Sequence, residues 1–150
     1  MKYTKPEVAK YFLDRKEKYK VKNLSSKANF PKNSLIELTN ACNHACIFCA
    51  NPRMNRNIKN LDKKIFVKFI KEASDLGLEE VGLYSTGEPF LTKNIDFYIS
   101  EAKKNNIRRV YVTTNGSLAT LDKVIKAYNS GLNSIKYSIN AATEKNHQII

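Results

Sequence analysis

The sequence predicts an α/β fold with parallel strands, and three observations carry that prediction. Four short runs rich in Ile, Val and Tyr alternate with longer amphipathic segments, as strands alternate with helices. The intervening segments are long enough for right-handed crossovers between parallel neighbours. Each strand candidate is followed by a short polar or glycine-bearing group, which a parallel sheet would gather along one rim. A doubly wound sheet and a barrel both satisfy this pattern, and in both the chemistry belongs at the C-terminal ends of the strands.

Taken in order, the elements begin with a helix in TKPEVAKYFLDRKEKYK, where Thr4 and Glu7 form a capping box and Pro6 sits in the first turn. Val8, Tyr11, Phe12 and Arg15 follow at helical spacing, and KNLSSKANFPKN then breaks the pattern. Residues 1–33 are thus a basic helix and linker, and residues 34–150 the α/β domain. Its strands are SLIELT (34–39), EVGLYS (80–85), IRRVYVT (107–113) and NSIKYSIN (133–140). Between them, Leu61, Ile65, Phe69 and Ala73 recur at intervals of four before Gly77, a C-terminal stop. Ile95, Tyr98, Ile99 and Ala102 make a second helical stripe, and Leu118, Leu121, Ile125 and Tyr128 a third, before Gly131. A fourth helix begins at TEKNHQII.

Composition narrows the class. The 150 residues are 42% hydrophobic, which suits a globular domain, and charged residues interrupt every apolar run well short of the roughly 18 residues a membrane span needs. The N-terminus lacks the apolar core of a secretory signal, so a cytoplasmic protein is expected. The net charge of +12 admits a nucleic-acid partner. Yet 21 of the 26 basic residues are Lys, and neither a helix-turn-helix nor an aromatic-studded basic ribbon is present. The sequence therefore favours a solvated, Lys-rich surface over a nucleic-acid footprint.

The groups behind the strands are TNACNHAC, TGEP, TNGS and SIN with AAT. TGEP and TNGS are also ordinary turn compositions. The first group is different in kind, because Cys42, Cys46 and Cys49 are the only cysteines of the chain and lie within eight residues. An odd number at such short spacings argues against a disulfide framework and for metal or cluster ligation. A tetrahedral zinc would need a fourth ligand, for which only His44 and His147 are available. Three thiolates also suit an iron-sulfur cube with one iron left open to an outside ligand.

With Phe48 directly before the last cysteine, CNHACIFC resembles the Cys-x3-Cys-x2-Cys cluster loop of the radical S-adenosylmethionine (radical SAM) superfamily. TGEP at 86–89 is similar to the family's Gly-Gly-Glu-Pro motif, with Thr86 in place of the first Gly. TTNG at 113–116 and YSIN at 137–140 resemble its third- and fourth-strand motifs. The resemblance covers about residues 34–140. It implies a partial (β/α) barrel of the radical SAM type, with about four of six β/α units, incomplete at the C-terminus and preceded by the N-terminal helix.

The likeness also implies a site. Cys42, Cys46 and Cys49 would bind three irons of a 4Fe-4S cluster, and S-adenosyl-L-methionine would chelate the fourth through its amino and carboxylate groups. Gly87 and Glu88 would meet that amino group, and Phe48 the adenine, although ordinary packing is the plainer role for Phe48. Asn115, Ser138 and Asn140 would serve the ribose hydroxyls and the carboxylate. In NSIKYSIN, Ile135, Tyr137 and Ile139 share the face expected under helices, while Lys136, Ser138 and Asn140 share the face toward the barrel. In the family, reductive cleavage of S-adenosylmethionine gives a 5′-deoxyadenosyl radical that abstracts hydrogen from a substrate. The one-electron donor would be a flavodoxin or ferredoxin.

The substrate is not fixed by fold or cofactor. CANPRMNRNIKN resembles, more weakly, members with a cysteine-bearing SPASM extension, many of which modify peptides or proteins; it also reads as a plain basic connector. The sequence ends at HQII with no helix-stop signal, which predicts the N-terminal part of a longer protein rather than half a barrel completed by a partner chain. The competing reading, from a different class, is a zinc or iron-sulfur interaction module without catalysis, its basic helix contacting nucleic acid or a partner.

Overall fold

A computed structural model of the chain describes residues 13, 14 and 29–149. Leu13 and Asp14 are helical, and the rest of the helix expected over residues 4–20 lies outside the described residues. Four parallel strands form one sheet in the order β1 (Asn33–Leu35), β2 (Glu80–Gly82), β3 (Arg109–Thr114) and β4 (Ser134–Tyr137). Helices α1 (Lys63–Asp75), α2 (Ile95–Lys104) and α3 (Leu121–Asn129) are the crossovers, and α4 (Glu144–His147) follows β4. Spatial order follows chain order with no reversal, so the sheet winds in one direction, as a barrel does and a doubly wound sheet does not. Among the described residues no helix is long and apolar enough to cross a membrane.

One face of the sheet carries the core. Val81 pairs with Val110 and Val112 with Ile135, and these side chains meet Phe66, Ile70 and Ala73 of α1 and Ile95, Tyr98, Ile99 and Ala102 of α2. Burying each large apolar side chain contributes roughly 1.5–3 kcal/mol. Phe66 meets the Tyr98 ring edge-on at 5.0 Å, and the Tyr98 hydroxyl donates to Leu61 O at 2.8 Å. The α2 stripe is the predicted one. The α1 stripe is not, because Ile65 and Phe69 are exposed. In α3, Ala127 is buried and Val124 partly so, while Leu121, Ile125 and Tyr128 face outward.

The other face carries polar groups near the N-terminal ends of the strands. Glu80, buried, ion-pairs with Arg108 at 3.3 Å and Arg109 at 3.5 Å, and Asn33 Nδ2 donates to it at 3.2 Å. Buried charge is tolerated when paired in this way. Gly82 leaves room above itself for larger neighbours: a Cβ there would stand 2.6 Å from Leu35 and 2.9 Å from the Tyr111 ring.

β1, β2 and β4 are shorter at their C-terminal ends than the sequence suggests, whereas β3 runs one residue further, to Thr114. Ile36 N still donates to Gly82 O at 2.8 Å, but Leu38 O then accepts from Leu61 N at 2.8 Å, and Thr39 pairs antiparallel with Asn60. The returning segment 57–61 thus takes over the backbone of a predicted strand that reached residue 39. β4 likewise stops at Tyr137, so Ile139 is exposed rather than covered by helices, and Tyr137 is half exposed.

Candidate functional site

The C-terminal ends of all four strands open onto one cavity of about 510 Å³, a size typical of small-molecule sites. Its wall includes Cys42, Cys46, Phe48 and Cys49 from the loop after β1, and Gly87 and Glu88 from the loop after β2. Asn115 enters from the end of β3, and Ser138 and Asn140 from beyond β4. Every site residue expected from the sequence therefore lines the same space. His44 and His147 line it too, as do Tyr84 and Thr113, which sequence reasoning did not single out.

The thiol loop is fixed by backbone and amide bonds rather than by regular structure. Cys49 N donates to Cys46 O at 3.0 Å, and Asn51 N points at Cys49 Sγ at 3.4 Å where a short 3-10 helix, Asn51–Arg53, begins. The buried Asn40 holds the loop's entrance: its Nδ2 donates to Asn57 O at 2.9 Å and its Oδ1 accepts from Lys59 N at 2.7 Å. Asn51 Nδ2 donates to Asn40 O at 2.8 Å and to Thr86 O at 3.0 Å, which joins the loop to the TGEP segment.

Gly87 is required by that junction. A Cβ there would lie 2.0 Å from Thr39 O and 2.8 Å from Ala41 O, so only glycine lets the two loops touch. Glu88 N donates to Ala41 O at 2.8 Å in the same contact.

The Glu88 side chain is 2% exposed and ties the second loop to the third. Its Oε1 accepts from Phe90 N at 3.0 Å and from the Thr114 hydroxyl at 2.7 Å, and its Oε2 from Asn115 N at 2.9 Å. Oε2 keeps acceptor capacity for one more donor. Asn115 reaches back to the first loop, its Nδ2 2.9 Å from Asn43 Oδ1 and 4.0 Å from Cys42 Sγ, while Asn43 Nδ2 donates to Ser117 Oγ at 2.7 Å. The chain of bonds therefore runs from thiol loop to third strand and back.

These residues suit a thiolate-bound cluster with an amino- and hydroxyl-bearing ligand. Three soft donors stand on one wall and acceptors on the facing ones. Thr113 Oγ, buried on the cavity wall, has no hydrogen-bond partner within the protein, and a polar ligand would supply one. A single ion is less well served. Although His44 and His147 share the cavity, no three His, Cys, Asp or Glu side chains among the described residues are gathered closely enough to hold one metal ion. Phe48, 62% exposed, offers its ring as an open apolar face and is not packed into the core.

The family model described as "Radical SAM superfamily" matches residues 36–150. The chain is 30% identical over 115 residues to the PqqA peptide cyclase of Gluconobacter oxydans (strain 621H), covering 76% of this chain and 32% of that protein. It is 31% identical over 115 residues to the GTP 3′,8-cyclase of Clostridium botulinum (strain Hall), covering 73% and 35% respectively. The chain thus spans about a third of the length of these relatives. The crystal structure of BtrN in complex with AdoMet and 2-DOIA superposes with a TM-score of 0.67 at 22% identity, over 79% of this chain and 50% of that one, which is a likeness of fold.

Proposed function

The chain belongs to the radical SAM superfamily, a family of enzymes, and from that premise we propose that it binds a 4Fe-4S cluster and S-adenosylmethionine in the cavity at the strand ends. The observation that supports this most is the convergence of three thiols, Gly87 and Glu88, Asn115, and Ser138 and Asn140 on one space. When bound, the cluster would supply one electron and S-adenosylmethionine a reducible carbon–sulfur bond, which is the source of radical chemistry at this site.

The chain's own residues bind and orient these groups. Cys42, Cys46 and Cys49 would hold the cluster through their thiolates. The free capacity of Glu88 Oε2, with backbone at Gly87, receives an ammonium group, which a buried carboxylate favours in its charged form. Asn115, Ser138 and Asn140 present hydrogen-bonding groups to hydroxyls and carboxylate, and Phe48 covers the adenine. Glu88 and Asn115 are already held in place by neighbouring hydrogen bonds, so these two need little reorganisation on binding.

Electrons would come from an external carrier such as a flavodoxin or ferredoxin. One named relative acts on a peptide and another on GTP, so the substrate end is set outside the shared strands. A peptide or protein substrate matches the first of them and the weaker likeness of residues 49–60 to SPASM-bearing members.

Anaerobic reconstitution with iron and sulfide tests the reading. The wild type is expected to take up about four irons per chain and to bind S-adenosylmethionine, and Cys46→Ala to hold little or no iron. Equal iron content in the two proteins would refute the assignment.

A further inference from the structure

A second polar cluster, apart from the cavity-lining side chains, joins three segments distant in sequence. Glu37 follows β1, Arg56 follows the thiol loop, and Thr86 opens the TGEP segment. Glu37 Oε1 accepts from Thr86 N at 3.0 Å and, in a short bond, from the Thr86 hydroxyl. Arg56 Nη1 donates to Glu37 Oε2 at 2.8 Å, and its Nη2 lies 3.4 Å from Glu37 Oε1, 3.1 Å from Thr86 Oγ and 3.0 Å from Met54 Sδ. The ring is closed only because residue 86 has a hydroxyl, which donates to the carboxylate while accepting from the guanidinium. A glycine, as in the family's usual motif, would leave it open.

We propose that Glu37, Arg56 and Thr86 are positioning residues, a latch that holds the backbone of residues 86–88 against the loop carrying the thiols. The next residue in the chain is Gly87, which touches Thr39 O and Ala41 O, so a shift at Thr86 changes the distance between the two cofactor-facing loops directly. Partial burial alone would raise the Glu37 carboxyl, but hydrogen bonds from Arg56 and from the Thr86 hydroxyl and amide, with the charge of Arg56, outweigh it and hold the group below the ordinary carboxylate range. The latch is therefore charged at neutral pH. The Arg56 side chain is 55% exposed, and so accessible an ion pair adds little to global stability. Its contribution is to local geometry, and the inference rests on the cofactor reading above.

The test uses Glu37→Gln, Thr86→Val, which removes the hydroxyl at nearly constant shape, and Thr86→Ser, which keeps it. In the cluster-free chain, amide exchange at Thr86 and Glu88 is expected to quicken about tenfold in the first two variants and to change less than about twofold in the third. In the reconstituted chain, the Kd for S-adenosylmethionine should rise about tenfold in the same two variants, with iron content and melting temperature unchanged and the Ser variant like wild type. Unchanged exchange, or faster exchange with unchanged affinity, would overturn the proposal. If the wild type takes up neither iron nor S-adenosylmethionine, the cofactor reading fails by itself and the exchange result alone decides the latch.

Discussion

At the scale of single residues, Glu88 has two demands on it that a sequence motif does not separate. The motif points to a ligand contact, and the structure adds a bracket: Phe90 N, Thr114 Oγ and Asn115 N all donate to this one buried carboxylate. Replacing it with Gln keeps the shape but sets an amide NH2 against at least one of those donors. A buried donor left without an acceptor costs about 1–3 kcal/mol, so Glu88→Gln should lower the unfolding free energy by that amount in urea titration, quite apart from any loss of cofactor affinity. A change under about 0.5 kcal/mol would mean that the bracket is redundant. The candidate site residues themselves were legible because parallel strands send every C-terminal loop to one rim. The bonds among them were not. Glu37 and Thr86 are 49 residues apart and Asn43 and Asn115 are 72, and nothing local in the chain announces that such pairs meet.

At the scale of elements, existence and type were legible while faces and ends were not, and α1 shows why. The sequence stripe of Leu61, Ile65, Phe69 and Ala73 steps by four, yet an α-helix has 3.6 residues per turn, so each step drifts about 40° around the axis. By Ala73 the stripe has rotated into the core, whereas Ile65 is 61% and Phe69 40% exposed. The true face, Phe66, Ile70 and Ala73, alternates steps of four and three and stays put. The start of the helix is not marked by apolar spacing either, because it is set by the polar Asp62. Its side chain accepts from Lys64 N at 2.8 Å and Ile65 N at 3.1 Å, satisfying two of the helix's free donors. Asp62→Ala should therefore cost about 1 kcal/mol, read as a lower urea midpoint with an unchanged slope. The first strand ends earlier than its composition suggests because backbone of residues 38–40 bonds to residues 57–61 and not to β2, a competition between two partners that composition cannot rank.

At the scale of the whole molecule, the charge of +12 and the apolar surface act against each other. α3 is apolar on two sides: Val124 and Ala127 face the core, and Leu121 at 73%, Ile125 at 47% and Tyr128 at 72% exposure face away from it. Beyond it, Tyr137 and Ile139 are also exposed, and β4 has no partner on its far side among the described residues. A surface of this kind, next to an unpaired strand edge, favours association. Charge repulsion between like chains opposes it, and salt weakens that repulsion because the screening length shrinks from about 10 Å at 0.1 M to about 3 Å at 1 M. The 150-residue chain should accordingly be monomeric in dilute buffer and gain mass with added sodium chloride in sedimentation equilibrium. Leu121→Lys with Ile125→Lys should abolish that gain while changing the urea unfolding free energy by no more than about 0.5 kcal/mol per site, since neither side chain is packed in the core. If the wild type stays monomeric at every salt concentration, its outward helix face is compatible with water by itself; if both proteins associate equally, the contact is made through the strand edges and not through α3.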